Sequence, residues 1–196
     1  MADFEVANKL TRKNEGNYSN NKNDKGKETY GGRSRRYFPD WEGWKIIDSM
    51  KSRIDFPKCL DTNKELQKLV DQSYKEIEWE AIKGDLIPNQ VIANEILDQA
   101  TQFGTTTAIK YLQRTLNLLN RNQRADFYPD IKVDGVITAN GETLKTLTIS
   151  LKKNGVEFLF NVLNGFQIKH FIDWQEANRT AEEFYGVFKR VDIIWN

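Results

Sequence analysis

Two acidic residues nine positions apart, Glu15 and Asp24, open a polar stretch in which Thr29 follows five positions later. Cleaving a glycosidic bond takes an acid that protonates the leaving oxygen. It also takes a carboxylate that activates water or stabilises an oxocarbenium-like transition state. A glutamate at the end of a helix and an aspartate on a hairpin folded back across a cleft can fill these roles, and a threonine hydroxyl beside the aspartate can help hold the attacking water. Glu28 is a second candidate for the carboxylate, but strand alternation directs it away from the face that carries Thr29. Spacing alone leaves the plainer alternative open, with Glu15 a helix-terminal acid and Asp24 a turn residue.

The elements that must position these groups are mostly helical. Phe4, Ala7 and Leu10 fall on one face of a first helix that ends near Arg12-Lys13, just before Glu15. Residues 14–36 are rich in Asn, Gly and Lys and read as irregular structure or a short hairpin. Trp41, Trp44, Ile47, Met50 and Ile54 line a second helix, and Leu66, Leu69, Val70, Ile77 and Ala81 a third, long one. Val91, Ile92, Ile96 and Ala100 begin a fourth after Pro88. Gly104 interrupts the pattern, and Thr105-Thr106-Thr107 offer a cap for a helix reaching Leu119. After a polar stretch over 120–132 come a short helix near Gly141–Leu144, a long one over about 154–174, and a last one over about 180–190. The expected fold is mainly α with a small β-hairpin or irregular region near the N-terminus.

Charge adds a constraint on partners. The chain has a net charge of +1, yet residues 9–36 carry nine basic against three acidic residues and residues 37–100 eight against thirteen. A basic segment of this kind suits an anionic polymer, nucleic acid or bacterial wall, or is simply a solvated face. The sequence has no recognition-helix or single-strand-binding motif, which ranks nucleic acid last. No apolar run nears the roughly 20 residues that span a bilayer. The one cysteine and one histidine, Cys59 and His170, cannot form an internal disulfide or a typical zinc site. His170, beside Phe166 and Phe171, reads as a partnered structural residue. Neither a metal nor a cofactor is expected.

The run from Glu15 through Gly32 resembles the signature of the glycoside hydrolase 108 family, lysozyme-like N-acetylmuramidases of phage and prophage type, some described as secretion activators. The matching positions are Glu15, Gly16, Tyr18, Asn20, Asp24, Gly26, Thr29, Gly32 and Ser34. Asn17 and Lys27 stand where the family usually has glycine, and Arg33 where it has an aliphatic residue. Tyr37-Phe38-Pro39-Asp40-Trp41 also fits, as an aromatic-Pro entry to the next helix. The resemblance implies a lysozyme-like fold and carries the essential glutamate onto Glu15, with Asp24 and Thr29 as partners by analogy. It implies that Tyr18 helps keep Glu15 neutral and, with Glu28, contacts substrate. The expected mechanism is inverting.

The C-terminal half resembles the peptidoglycan-binding module that accompanies this domain. The likeness lies in Tyr111–Asn117, in Val133-Asp134-Gly135-Val136-Ile137-Thr138 with Thr143-Leu144, and in Phe184–Val191, where Val187 replaces tryptophan. Asp134 is the expected substrate contact there, although Asp134-Gly135 can equally form a turn. The implied organisation is a catalytic domain over 1–102 and a helical wall-binding domain over 103–196 packed against it. The implied activity is cleavage of the β-1,4 bond between N-acetylmuramic acid and N-acetylglucosamine in bacterial peptidoglycan. A catalytically silent wall-binding or secretion-assisting protein on the same fold is the alternative. Met1–Glu5 lacks the features of a secretory signal. The chain is therefore expected to be made in the cytoplasm, to reach the periplasm through a holin or a specialised secretion route, and to associate stably with no membrane.

Overall fold

The computed structural model describes residues 1–15, 17–20, 28–178, 186–189 and 191. The architecture is mainly helical, with a three-stranded antiparallel sheet near the N-terminus. Helix α1 (Phe4–Asn14) is capped by Asp3, whose side chain accepts from the Val6 amide at 3.2 Å. It buries Phe4, Ala7, Asn8 and Thr11. Leu10 falls just off that stripe and is half exposed, because the buried positions follow i, i+3, i+4, i+7.

The sheet comprises β1 (Ser19–Asn20), β2 (Glu28–Tyr30) and β3 (Arg33–Ser34), in the order β1-β2-β3. Tyr30 pairs with Arg33 across a two-residue turn at Gly31-Gly32. Both glycines have positive φ, +50° and +73°. That is the conformation of a type I′ hairpin turn, which glycine adopts without steric cost.

Helix α2 (Gly43–Met50) buries Trp44 and Ile47. It stops before Ile54, which lies fully exposed in the turns beyond the helix rather than on the helix face expected for it. Helix α3 (Lys64–Tyr74) starts at Asn63, which caps the Leu66 amide at 2.9 Å. The long third helix expected through Ala81 is instead α3 followed by a π-helical turn at Lys75–Trp79. A π turn holds an extra residue and rotates the chain beyond it. Ile77 is thereby left exposed, while Glu78 and Trp79 turn inward.

Helix α4 (Gln90–Phe103), capped by Asn89, buries Ile92, Ala93, Ile96, Leu97 and Ala100 and packs against α1, α5 and α7. Helix α5 (Thr105–Leu118) starts at Gly104, φ +84°, with no side-chain cap, so the threonines lie inside the helix instead of capping it. Helix α6 (Glu142–Asn154) is longer than expected and ends at Gly155, φ +82°, where α7 (Val156–Ala177) begins. One continuous apolar cluster runs from Phe4 in α1 to Leu163 in α7. The last expected helix, 180–190, falls mostly outside the described residues. Among the described residues no helix is long and apolar enough to cross a membrane.

Candidate active site

Glu15 follows the last turn of α1, extended at φ −81°, ψ 140°, with its amide donating to the Arg12 carbonyl at 3.2 Å. That turn is fastened to α3. Arg12 donates to Asp71 at 2.6 Å and to the Gln67 side-chain oxygen at 2.6 Å, and Asn8 donates to Asp71 at 2.8 Å. The helix end that carries Glu15 is therefore set by charge-assisted bonds rather than left to fray.

The Gly31-Gly32 turn closes over the carboxyl. A Cβ on Gly32 would stand 2.9 Å from Oε2 of Glu15 and closer still to the Tyr74 hydroxyl; one on Gly31 would stand 3.1 Å from Val70. The Tyr74 hydroxyl donates to the Gly31 carbonyl at 3.1 Å. Burial, then the charge of Glu15, pushes that hydroxyl's pKa up, keeping it a neutral donor.

A cavity of about 220 Å³ opens beside Glu15, lined by Arg12, Asn17, Tyr30, Gly31, Asp61 and Gln67. Its wall is cross-bonded. Gln67 donates to the Tyr30 hydroxyl at 2.7 Å and to the Leu60 carbonyl at 2.9 Å. Tyr30 in turn donates to Oδ1 of Asp61 at 3.4 Å, and Asn17 donates to Oδ2 at 3.2 Å. A wider trough of about 570 Å³ along α3 shares Asp61 and Gln67 with this cavity.

Arg33 runs behind the turn, 2% exposed, with its guanidinium between Tyr74 (4.1 Å to the ring centre) and Phe38 (5.0 Å). It forms a two-pronged pair with Glu78, both bonds 2.7 Å. Burial pushes the Glu78 carboxyl up, Arg33 pulls it down, and the charge of Glu15 adds to the upward push. An arginine in an aliphatic position is thus accommodated by the acid that the π turn directs inward.

A family model, Glycosyl hydrolase 108, matches residues 8–104, the segment that contains Glu15, the hairpin and the whole cavity. This region belongs to the glycosyl hydrolase 108 family. SagA of Brucella abortus, a solved structure 21% identical to this chain, shares the fold with a TM-score of 0.59 over 96% of this chain and 91% of that one. No curated protein matches the chain.

Within the glycosyl hydrolase 108 region, the structure distributes the expected site residues unevenly. Glu15 lines the cavity. Asp24 lies outside the described residues. Thr29 pairs with Ser19 and Ser34 in β2, and by alternation its side chain takes the face opposite Glu28 and Tyr30. Tyr30 is the β2 side chain that reaches the cavity. Glu28 is buried and accepts from the Tyr18 hydroxyl at 2.8 Å, with Arg35 at 2.7 Å and Lys51 at 2.8 Å. Both its oxygens are thereby held in a structural network. Tyr18 packs edge-on against Phe56, centroids 4.7 Å apart.

Asp134 lies in the C-terminal half, on a separate pocket of about 130 Å³. Its Oδ1 accepts from Gln113 at 3.0 Å and from the Val136 amide at 3.0 Å. These two bonds, Gln113 first, hold its carboxyl below the usual range. His170 shares a 2.7 Å hydrogen bond with the Tyr111 hydroxyl and stacks on Phe103, while Cys59 is buried. Sequence reasoning overlooked Asp61, Tyr30 and Gln67. Asp61 is 46 positions beyond Glu15, and local spacing carries no signal across such a gap.

Proposed function

We propose that the chain is an N-acetylmuramidase that hydrolyses the β-1,4 bond between N-acetylmuramic acid and N-acetylglucosamine in bacterial peptidoglycan. Glu15 is the general acid. The observation that carries this reading is the position of Glu15: held at the end of α1, under a two-glycine turn, in the wall of a cavity inside the segment that matches the family.

The chemistry rests on that position. Protonation by Glu15 lets the glycosidic oxygen leave with the bonding electron pair, and water then takes its place at the anomeric carbon. Asp24 and Thr29 are the motif's candidates for the groups that handle this water. The C-terminal half serves as the wall-binding module. The chain acts at the periplasmic wall, reached by a holin or a specialised secretion route.

Zymography on purified walls tests the proposal. Wild-type protein clears the wall, and Glu15→Gln loses about 10²-fold or more of that activity while still binding. Clearing by Glu15→Gln at the wild-type rate would remove Glu15 as the acid. Wall binding by the wild type with no clearing would favour the silent wall-binding alternative.

A further inference from the structure

We infer that Tyr74 is a positioning residue for Glu15, its hydroxyl holding the Gly31-Gly32 turn down on the acid's carboxyl so that the acid meets the glycosidic oxygen in one orientation. The inference rests on the muramidase reading of Glu15. It draws on the end of α1, the hairpin and α3, whose last residue is Tyr74.

The contact runs through one glycine. The point where a Cβ on Gly32 would stand lies 2.9 Å from Oε2 of Glu15 and closer still to the Tyr74 hydroxyl. The two oxygens are therefore less than twice that distance apart. A carbonyl oxygen accepts and cannot donate, so the single hydrogen of the hydroxyl is committed to Gly31, 3.1 Å away. Tyr74 thus acts on Glu15 through the turn and not as a donor to it.

A turn of two glycines has no side chains with which to fix itself. The fixing comes from α3. Gly31 lies against Val70, which shares a face of the helix with Tyr74 four positions later. Tyr74 is 1% exposed, and the Arg33 guanidinium lies 4.1 Å from its ring centre, itself held by two 2.7 Å bonds to Glu78. Arg33 directly follows Gly32. The turn is therefore gripped at both ends, at Gly31 by the hydroxyl and at Arg33 by the ring.

Tyr74→Phe keeps the ring and its stacking on Arg33 and removes the bond to Gly31. On a soluble glycan fragment of the wall, kcat should fall about 10-fold with KM little changed. The loss should also depend on the leaving group. An aryl glycoside that departs as dinitrophenolate needs no proton from an acid. Tyr74→Phe should turn it over at nearly the wild-type rate, as Glu15→Gln should. Tyr128→Phe is the control. It loses a comparably buried hydroxyl, bonded to the Leu116 carbonyl at 3.0 Å in the C-terminal half, and should keep the wild-type ratio between the two substrates. That ratio is read on one protein, so a partly unfolded variant still decides the question. Tyr74→Phe with wild-type kcat on the glycan, or with equal losses on both substrates, overturns the inference. A wild type that leaves the glycan uncut ends the muramidase reading and the inference together. Leaving-group dependence in Glu15→Gln but not in Tyr74→Phe ends the inference and leaves that reading standing.

Discussion

The carboxyl of Glu15 lies against the backbone of Gly32, so close that a Cβ on that glycine would come within 2.9 Å of Oε2. The same glycine has a φ of +73° and faces the Tyr74 hydroxyl. Three demands therefore converge on one position: a left-handed turn, room for a tyrosine, and room for the candidate acid.

Gly32→Ala should consequently affect stability and activity by different routes. Left-handed backbone with a Cβ costs about 1–3 kcal/mol, read as a lower urea midpoint. Displacing Glu15 adds a loss of wall-clearing activity of about 10-fold to 10²-fold, since small misplacements of reacting groups are expensive. Activity that stays at the wild-type level in the folded fraction would show that the turn does not set the position of the acid.

Arg33 and Glu78 form a nearly solvent-free pair, at side-chain exposures of 2% and 8%. Breaking such a pair leaves a buried charge without compensation and costs about 3–5 kcal/mol, whereas replacing both members by apolar residues is often neutral. Arg33→Leu should therefore be strongly destabilised, and Arg33→Leu/Glu78→Leu should recover most of the loss. Equilibrium denaturation of the two variants checks this. A double variant as unstable as the single one would mean that the stacking of Arg33 on Tyr74 and Phe38, not the ion pair, holds this corner.

These positions also mark how far the sequence could be read. The periodic faces of α1, α2 and α4 and the hairpin over the Asn/Gly-rich stretch were visible because each is a local pattern. The glutamate ending α1 was visible through its motif. The π turn after Tyr74 was not, because the apolar spacing of Leu66, Val70 and Ile77 fits an uninterrupted α-helix. Only the buried Arg33 gives a reason for Glu78 to turn inward. Tyr30, Gln67 and Asp61 enter the cavity through tertiary contacts among β2, α3 and the turn before it. Glu28 read as a possible catalytic carboxylate from its place next to Thr29. Its commitment to Tyr18, Arg35 and Lys51 depends on partners up to 23 positions away.

Gln113 is 1% exposed and braces the loop of Asp134. Its amide nitrogen donates to Asp134, to the Val136 carbonyl and to Thr143, and its oxygen accepts from the Gly135 amide at 2.9 Å. Gln113→Ala should cost about 1–3 kcal/mol by leaving buried groups unsatisfied. It should also weaken wall binding in step with the loop. Asp134→Ala should act in the same direction on both readouts, because its Oδ1 is part of the same brace. Asp134→Ala that lowers wall retention without moving the Tm would instead make Asp134 a direct contact.

Glu95 on α4 gives the fold a pH dependence of predictable sign. It keeps a partly exposed edge, but burial, and then the nearby charge of Asp98, push its carboxyl up to about 8, with a bond from Gln99 at 2.7 Å pulling the other way. The folded chain therefore holds a proton here that the unfolded chain, with an ordinary glutamate near about 4.3, releases. Stability from this group is complete below about pH 4.3 and drains away as the pH rises through about 8. Urea unfolding at pH 5 and pH 8.5 should show wild-type protein losing stability across that interval. Glu95→Gln, which keeps the hydrogen-bonding shape without the titration, should lose markedly less. Equal losses in the two proteins would place the pH dependence on other groups.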